Sequence, residues 1–308
     1  MISQRNPYFG GIGAFENKRL IEEKKGVLLP SEDYKSEYCQ ILYIPSGIKS
    51  DEAFSCEIDA TCSRLLIILE EGASAHASAH LACSDSESIH ITEIFLADNA
   101  ELSLLFAQKS DAQNLTIRQR SSIGANAKLH LQNVSLGTGE LHHDLLSDVE
   151  GAESESSIDW LFYSKDKEHQ KINARNVFHA KNGRGEIVMK GVAEDKAHSV
   201  CTGMIDIGLG GGGTDTYLTE EVLMLDKTAK VDAVPGLEIK TNDVKASHSA
   251  TVSKVTVEDL FYFASRGISE SEAREMYVRG FLGGLTERIA NEKERTAVLD
   301  AIERKYQG

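Results

Sequence analysis

The segment Ala97–Phe106 reads ADNAELSLLF. An Asn-Ala step leads into two-residue alternation, with Leu102, Leu104 and Phe106 set against Ser103 and Leu105. Asparagine tolerates the left-handed backbone of a tight turn, and alternation with period two marks a half-buried strand. The same grammar recurs on both sides. Gly72-Ala73 opens GASAHASAHL, Asn126-Ala127 opens NAKLHLQ, and Gly151-Ala152 opens GAESESSIDW. These alanines are 27, 27 and 25 residues apart. Weaker echoes follow at Asn182–Gly191 and Asp226–Ile239. Further short strands, Ile89–Ala97 and Leu115–Ile123, lie between the marked turns. One repeat therefore holds a pair of strands and a pair of turns. Such a unit cannot bury its own apolar face, and stacking successive units makes a continuous core. The pattern predicts a β-solenoid or flattened β-helix. An immunoglobulin-type sandwich carries no such constant period, and the single hexad at Ile123–Lys128 has no neighbours to continue a hexapeptide solenoid.

The ends of the chain read differently. Ala14–Lys25 is a short charged helix closed by Gly26. Near the C-terminus, Thr256 with Asp259 and Ser269 with Glu272 have the spacing of capping boxes, and Gly267 supplies a stop between them. Ala273, Met276, Tyr277, Gly280, Phe281, Gly284 and Leu285 then fall on one helical stripe. A third helix runs through Ala297, Val298, Ala301 and Ile302. The expected organisation is an N-terminal segment over 1–60, a β-core over 61–255, and a small helical subdomain over 256–308 at the end of the stack. On this reading the β-core should stay folded without the helices.

The bulk properties narrow the function. The 308 residues are 41% hydrophobic and 26% charged, as in an ordinary globular protein, and the net charge is −15. No Lys/Arg run exceeds two residues, so neither nucleic acid nor an anionic membrane surface is an expected partner. The longest aliphatic run, Leu65–Leu69, is far too short to span a bilayer. The first residues, MISQRNPYFGGIG, lack a signal pattern, which sets the expected compartment as the cytoplasm. Cys39, Cys56, Cys62, Cys83 and Cys201 contain no C-x-x-C pair, and their odd number argues against a disulfide framework.

Few residues are placed for chemistry. His76 and His80 have H-x-x-x-H spacing, but in a strand they stand about 13 Å apart, too far for one metal. The run Gly208–Asp215, GLGGGGTD, lacks the G-K-[ST] ending of a phosphate loop, so the chain has no nucleotide site of its own. The remaining candidate is His248, in EIKTNDVKASHSATV (Glu238–Val252), with Glu238 and Asp243 as nearby oxygen donors. Imidazole and carboxylate groups both serve as metal ligands, and a histidine among small polar residues equally fills a turn.

This last region also resembles a known family. P-x-L-E-I, V-K-x-x-H-x-A-T, L-F-Y-x-x-S-R-G-I, E-A and G-F follow in order through Pro235–Leu282, and NGRGEI (Asn182–Ile187) precedes them. The segment is similar to the SufB/SufD proteins of iron–sulfur cluster assembly. The match is specific over about Lys181–Leu285 and weaker from Leu65 on. The resemblance implies a right-handed parallel β-helix with a C-terminal helical domain. It implies a non-catalytic scaffold carrying iron or a transient iron–sulfur cluster, with His248, Glu238 and Asp243 as the expected ligands, and an ABC-type ATPase partner, SufC, docking on the helices. Phe261, Tyr262, Arg266, Gly267 and Phe281 are the expected contacts there. It also implies pairing of β-helices, as a homodimer or with a SufB-like chain, through Pro235–Val252. SufB chains carry a cysteine just before the P-x-x-E element. The corresponding position here is about Ala229 and no cysteine follows Cys201, which makes the chain SufD-like or a minimal member. The competing class is a carbohydrate-active β-helix enzyme of the pectate-lyase type.

Overall fold

A computed structural model describes residues 40–58, 64–137 and 139–307. The expected helix at Ala14–Lys25 and two of the cysteines, Cys39 and Cys62, lie outside the described residues. From Gln40 to Lys254 the described residues wind into a solenoid of about eight coils, each giving one strand to each of two parallel sheets. The first sheet contains β1 (Gln40–Ile44), β3 (Arg64–Leu69), β5 (Glu87–Leu96), β7 (Asn114–Ile123), β9 (Glu140–Val149), β11 (His169–Phe178) and β13 (His198–Ile207). It ends in two short strands, β15 (Lys230–Ala233) and β16 (Gly236–Ile239), both paired with β13. The second sheet contains β2 (Lys49–Ile58), β4 (Ser74–Leu81), β6 (Glu101–Gln108), β8 (Lys128–Ser135), β10 (Glu155–Ser164), β12 (Arg184–Ala193), β14 (Asp215–Met224) and β17 (Lys245–Lys254).

The repeat is written in the turns before the second-sheet strands. Gly72, Asn99, Asn126, Glu153, Asn182 and Gly213 all have positive φ, between 56° and 80°. The first four are 27 residues apart, and the next two steps are 29 and 31. Each donates its backbone N–H to a carbonyl in the turn of the following coil, from Gly72 to Asp98 through to Gly213 to Asp243. The residue after each is buried: Ala73, Ala100, Ala127, Ser154, Gly183 and Thr214. The fourth step is therefore Glu153-Ser154, and the spacing of 25 to Gly151-Ala152 is corrected to 27. Gly151 has another reason to be glycine. A Cβ there would lie 2.0 Å from the Ala125 amide nitrogen, because the two turns stack backbone on backbone.

Side chains facing inward form the main core, from Leu42 and Phe54 at one end to Leu218 and Val222 at the other. It is not wholly apolar. Ser121, Ser147, Ser156 and Asn176 hydrogen-bond in series across it at 2.8–3.0 Å. His143 is fully buried between the rings of Phe106 and Trp160, and burial holds its imidazole neutral, well below the ordinary histidine range.

The helices are α1 (Val257–Ala264), α2 (Glu270–Thr286) and α3 (Glu292–Gln307). Both capping boxes form: Thr256 accepts from the Asp259 amide at 3.1 Å and Ser269 from the Glu272 amide at 3.3 Å. The helices do not stand at the end of the stack. Val278, Leu282 and Leu285 of α2, Ile289, and Val298 and Ile302 of α3 cover the outer face of the second sheet, against Leu105, Val134, Leu161, Val188 and Leu223. The buried stripe of α2 is thus Ala273, Val278, Leu282 and Leu285, while Met276 and Gly280 of the expected stripe face solvent. Polar clamps rim this layer. Arg288 reaches Asp159 at 2.8 Å and Glu186 at 2.5 Å, and Lys305 reaches Glu168 at 2.8 Å. Each apolar side chain so covered contributes about 1.5–3 kcal/mol. This packing speaks against a β-core that stays folded without the helices. Among the described residues no helix is long and apolar enough to cross a membrane.

Candidate functional site

Among the described residues no coil stacks on the C-terminal end of the solenoid. Its last layer is β15 and β16 on one side and β17 on the other, each paired along one edge only. Register decides which side chains look into the core. Ala246, His248, Ala250 and Val252 are partners of Thr216, Leu218, Glu220 and Val222, all inward-facing. Leu237 and Ile239 are likewise partners of Ile205 and Ile207. Val231, Ala233, Leu237 and Ala246 pack on the core below, while Val234, Ile239 and Val252 are 52%, 42% and 44% exposed. The core ends in an apolar layer open to solvent, and His248 stands in it as an exposed imidazole above Leu218.

The two expected oxygen donors are not brought to His248. Glu238 is the partner of Asp206, on the outer face of the first sheet, and pairs with Lys240 at 2.9 Å. Asp243 sits in the turn before β17, where its carbonyl accepts the Gly213 N–H. Its side chain lines an open cleft with Glu153, Asn182, Arg184, Asp215 and Lys245. The group that does lie under this end is one that the motifs did not single out. Glu220 is fully buried, inward-facing on β14, one register position below Ala250. Its Oε1 accepts the Gly203 N–H at 2.6 Å. The cause is local. Val234-Pro235 interrupts the last strand of the first sheet, leaving Gly203 without a partner in β15 or β16. The carboxylate crosses the core and takes the amide. Its other oxygen has no hydrogen-bond partner among the described residues, and burial pushes its pKa up to about 7. Nearby Cys201 is buried, and burial followed by the Glu220 charge pushes its thiol up to about 12. It is therefore no ready thiolate. The signal for Glu220 was an acid at an inward position of an alternating strand, LTEEVLML, which only the register of the stack reveals.

A second surface lies on α1. This helix buries none of its residues. Val257 and Phe261 are each 73% exposed, Tyr262 is 54% and Met276 of α2 is 51%. The Arg266 guanidinium lies 4.4 Å from the centre of the Tyr262 ring and screens one face of it. Gly267 ends the turn at φ 80°, a conformation that favours glycine. Phe281 differs from the other expected contacts: it is half-buried against the second sheet, with Lys190 Nζ 5.3 Å above its ring. Exposed apolar side chains grouped on a short helix in this way are a candidate protein-binding surface.

A two-sheet parallel solenoid with a helical layer on one sheet defines a β-solenoid class of protein, and comparison with known proteins identifies the family. The family model described as SUF system FeS cluster assembly, SufBD core domain, matches residues 52–281. The chain belongs to this family. It is 28% identical over 299 residues to an iron–sulfur cluster assembly SufBD family protein of Staphylococcus saprophyticus, which covers 90% of this chain and 64% of that protein. A Staphylococcus aureus (strain USA300) protein of the same description is 27% identical over the same length. One of Mycobacterium leprae is 26% identical over 263 residues, 82% of this chain and 30% of that protein. The chain thus spans less than two thirds of the length of these relatives.

Proposed function

We propose that the chain is a non-catalytic scaffold subunit of SUF-type iron–sulfur cluster assembly in the cytoplasm. Iron or a nascent cluster is its cargo, and a SufC-type ABC ATPase supplies the ATP hydrolysis. The observation that carries this reading is the family match over residues 52–281, which takes in both the open end and the α1 patch. The same match disfavours a pectate-lyase-like enzyme. We take the coil as right-handed, the hand that connections between parallel strands of one sheet adopt.

The two surfaces divide the work. The α1 patch, with Phe261, Tyr262, Arg266 and Gly267, receives the ATPase, and Phe281 holds the neighbouring helix to the sheet. The open end receives a second copy or a SufB-like chain, whose end layer covers the exposed Ile239 and Val252. His248 then sits at that junction as an imidazole donor to the cargo. Glu238 and Asp243 face away from it within one chain, so either would join a common site only across the pairing contact.

A Phe261→Ala/Tyr262→Ala double variant should lose co-purification with the ATPase while keeping its circular dichroism. These exposed rings support no core, so the fold has no reason to suffer. Retention of the ATPase at wild-type level would sink this docking assignment. His248→Ala should change stability by no more than about 0.5 kcal/mol and lower anaerobic cluster reconstitution on the paired scaffold. Full reconstitution by that variant would remove His248 from the site.

A further inference from the structure

Away from both surfaces, the outer face of the first sheet carries a row of imidazoles and carboxylates. Glu140, His169 and His198 are register partners on β9, β11 and β13. His142 follows Glu140 by two residues and so shares its face. Glu140 Oε1 lies 3.1 Å from His142 Nε2 and 3.7 Å from His169 Nδ1. The His198 ring stacks on His169 at 4.8 Å between centroids, and its Nε2 is 2.8 Å from Asp232. All four strand residues are between 36% and 47% exposed at the side chain, so a hydrated ion reaches them directly.

We propose that His142, Glu140 and His169 form a binding site for a divalent first-row transition metal, distinct from the open end of the solenoid. Two imidazoles and one carboxylate are a donor set suited to such ions, iron(II) included. Metal–ligand bonds of about 2.1 Å place neighbouring donors about 3.0–3.4 Å apart. The His142–Glu140 separation is already that edge, and the His169–Glu140 separation exceeds it by a few tenths of an ångström. In the resting rotamers no three donors among the described residues close on one point. Closure takes a small rotation of exposed side chains, and the strands beneath them are fixed by the ladder. His198 stands behind His169, and its ring packing limits where that imidazole turns. Lys171, the register partner of His142, brings a positive charge onto the same face and opposes cation binding there.

The test is calorimetric titration of the chain, free of any histidine tag, with Ni(II), a metal that imidazole binds well. One ion per chain should bind. His142→Ala, His169→Ala and Glu140→Gln should each weaken binding by at least tenfold, the scale on which even supporting groups around a metal act. His76→Ala, at an exposed histidine of the second sheet, should bind as wild type does. All of these residues are exposed, and circular dichroism checks that each variant folds. Equal Ni(II) binding by the wild type and the three variants would place the metal elsewhere and overturn the site. So would the absence of binding by the wild type, or a loss caused by His76→Ala alone.

Discussion

Glu220 shows how one buried carboxylate makes stability depend on pH. Its folded pKa is raised from 4.5 to about 7, with burial the largest cause. The folded state therefore holds its proton more tightly than the unfolded chain does. Stability falls as pH rises from about 4.5, and the loss is complete above about 7, with an upper bound of about 3 kcal/mol. Glu220→Gln keeps an oxygen for the Gly203 amide and cannot ionise. The urea midpoint of the wild type, measured relative to this variant, should drop between pH 5 and pH 8. An unchanged difference across that range would show that Glu220 does not titrate in the folded core. Gly151 gives a second residue-scale outcome. Gly151→Ala drives a methyl to within 2.0 Å of the Ala125 nitrogen, so stacked turns must separate. The expected cost is about 1–3 kcal/mol or more, read as a lower thermal midpoint.

At the scale of elements, the turns were legible and the docking of the helices was not. Asn99, Asn126 and Asn182 occupy left-handed positions that asparagine tolerates, so the period stood out in the sequence. Glu153 occupies the same position as an acid. No residue type announces that, and the fourth step was set two residues early. Helix starts were visible because a capping box is a local contact. The seat of α2 and α3 depends on long-range packing, although a signal existed. First-sheet strands such as HQKINARNVF alternate, whereas ELSLLFAQ and DWLFY run apolar on both faces because the helices cover the outside. The helices are also pinned by charge. Glu294 of α3 meets His80 at 3.2 Å and Ser78 at 2.8 Å. The Glu294 hydrogen bond raises the His80 pKa, and the His80 hydrogen bond lowers that of Glu294. The histidine contribution is complete below about 6.5 and lost as pH climbs through the raised value. The carboxylate contribution is present above about 4.5 and lost below it. A double-mutant cycle with His80→Ala and Glu294→Gln should give a coupling on the order of 0.5 kcal/mol near pH 5.5 and less at pH 8. A coupling that grows toward pH 8 would contradict the ion pair.

For the whole molecule the open end is the feature that a single chain leaves unfinished. An apolar last layer and two one-sided strand edges invite pairing. Val252→Glu should shift the protein toward monomer in light scattering, with the core unaffected because that side chain is 44% exposed. An unchanged mass distribution of a paired wild type would move the contact elsewhere. The family and the solenoid were readable in the sequence because motifs and period are local in the chain. The relation of Glu238 and Asp243 to His248 was not, since proximity along a strand says nothing about which face each residue takes.

The turn ladder has a consequence for how such chains change length. Coils of 27, 29 and 31 residues stack here without any loss of strand register. The surplus is taken up outside the ladders, where the chain is free to bulge. Evolution can therefore lengthen or shorten a coil at its corners, or add a whole coil, and leave every neighbour in place. A single residue inserted within a strand has no such refuge, because it turns each later side chain of that strand to the opposite face. Natural insertions and deletions among homologues should accordingly gather at the corners and come in any number, while the strands between them keep their lengths.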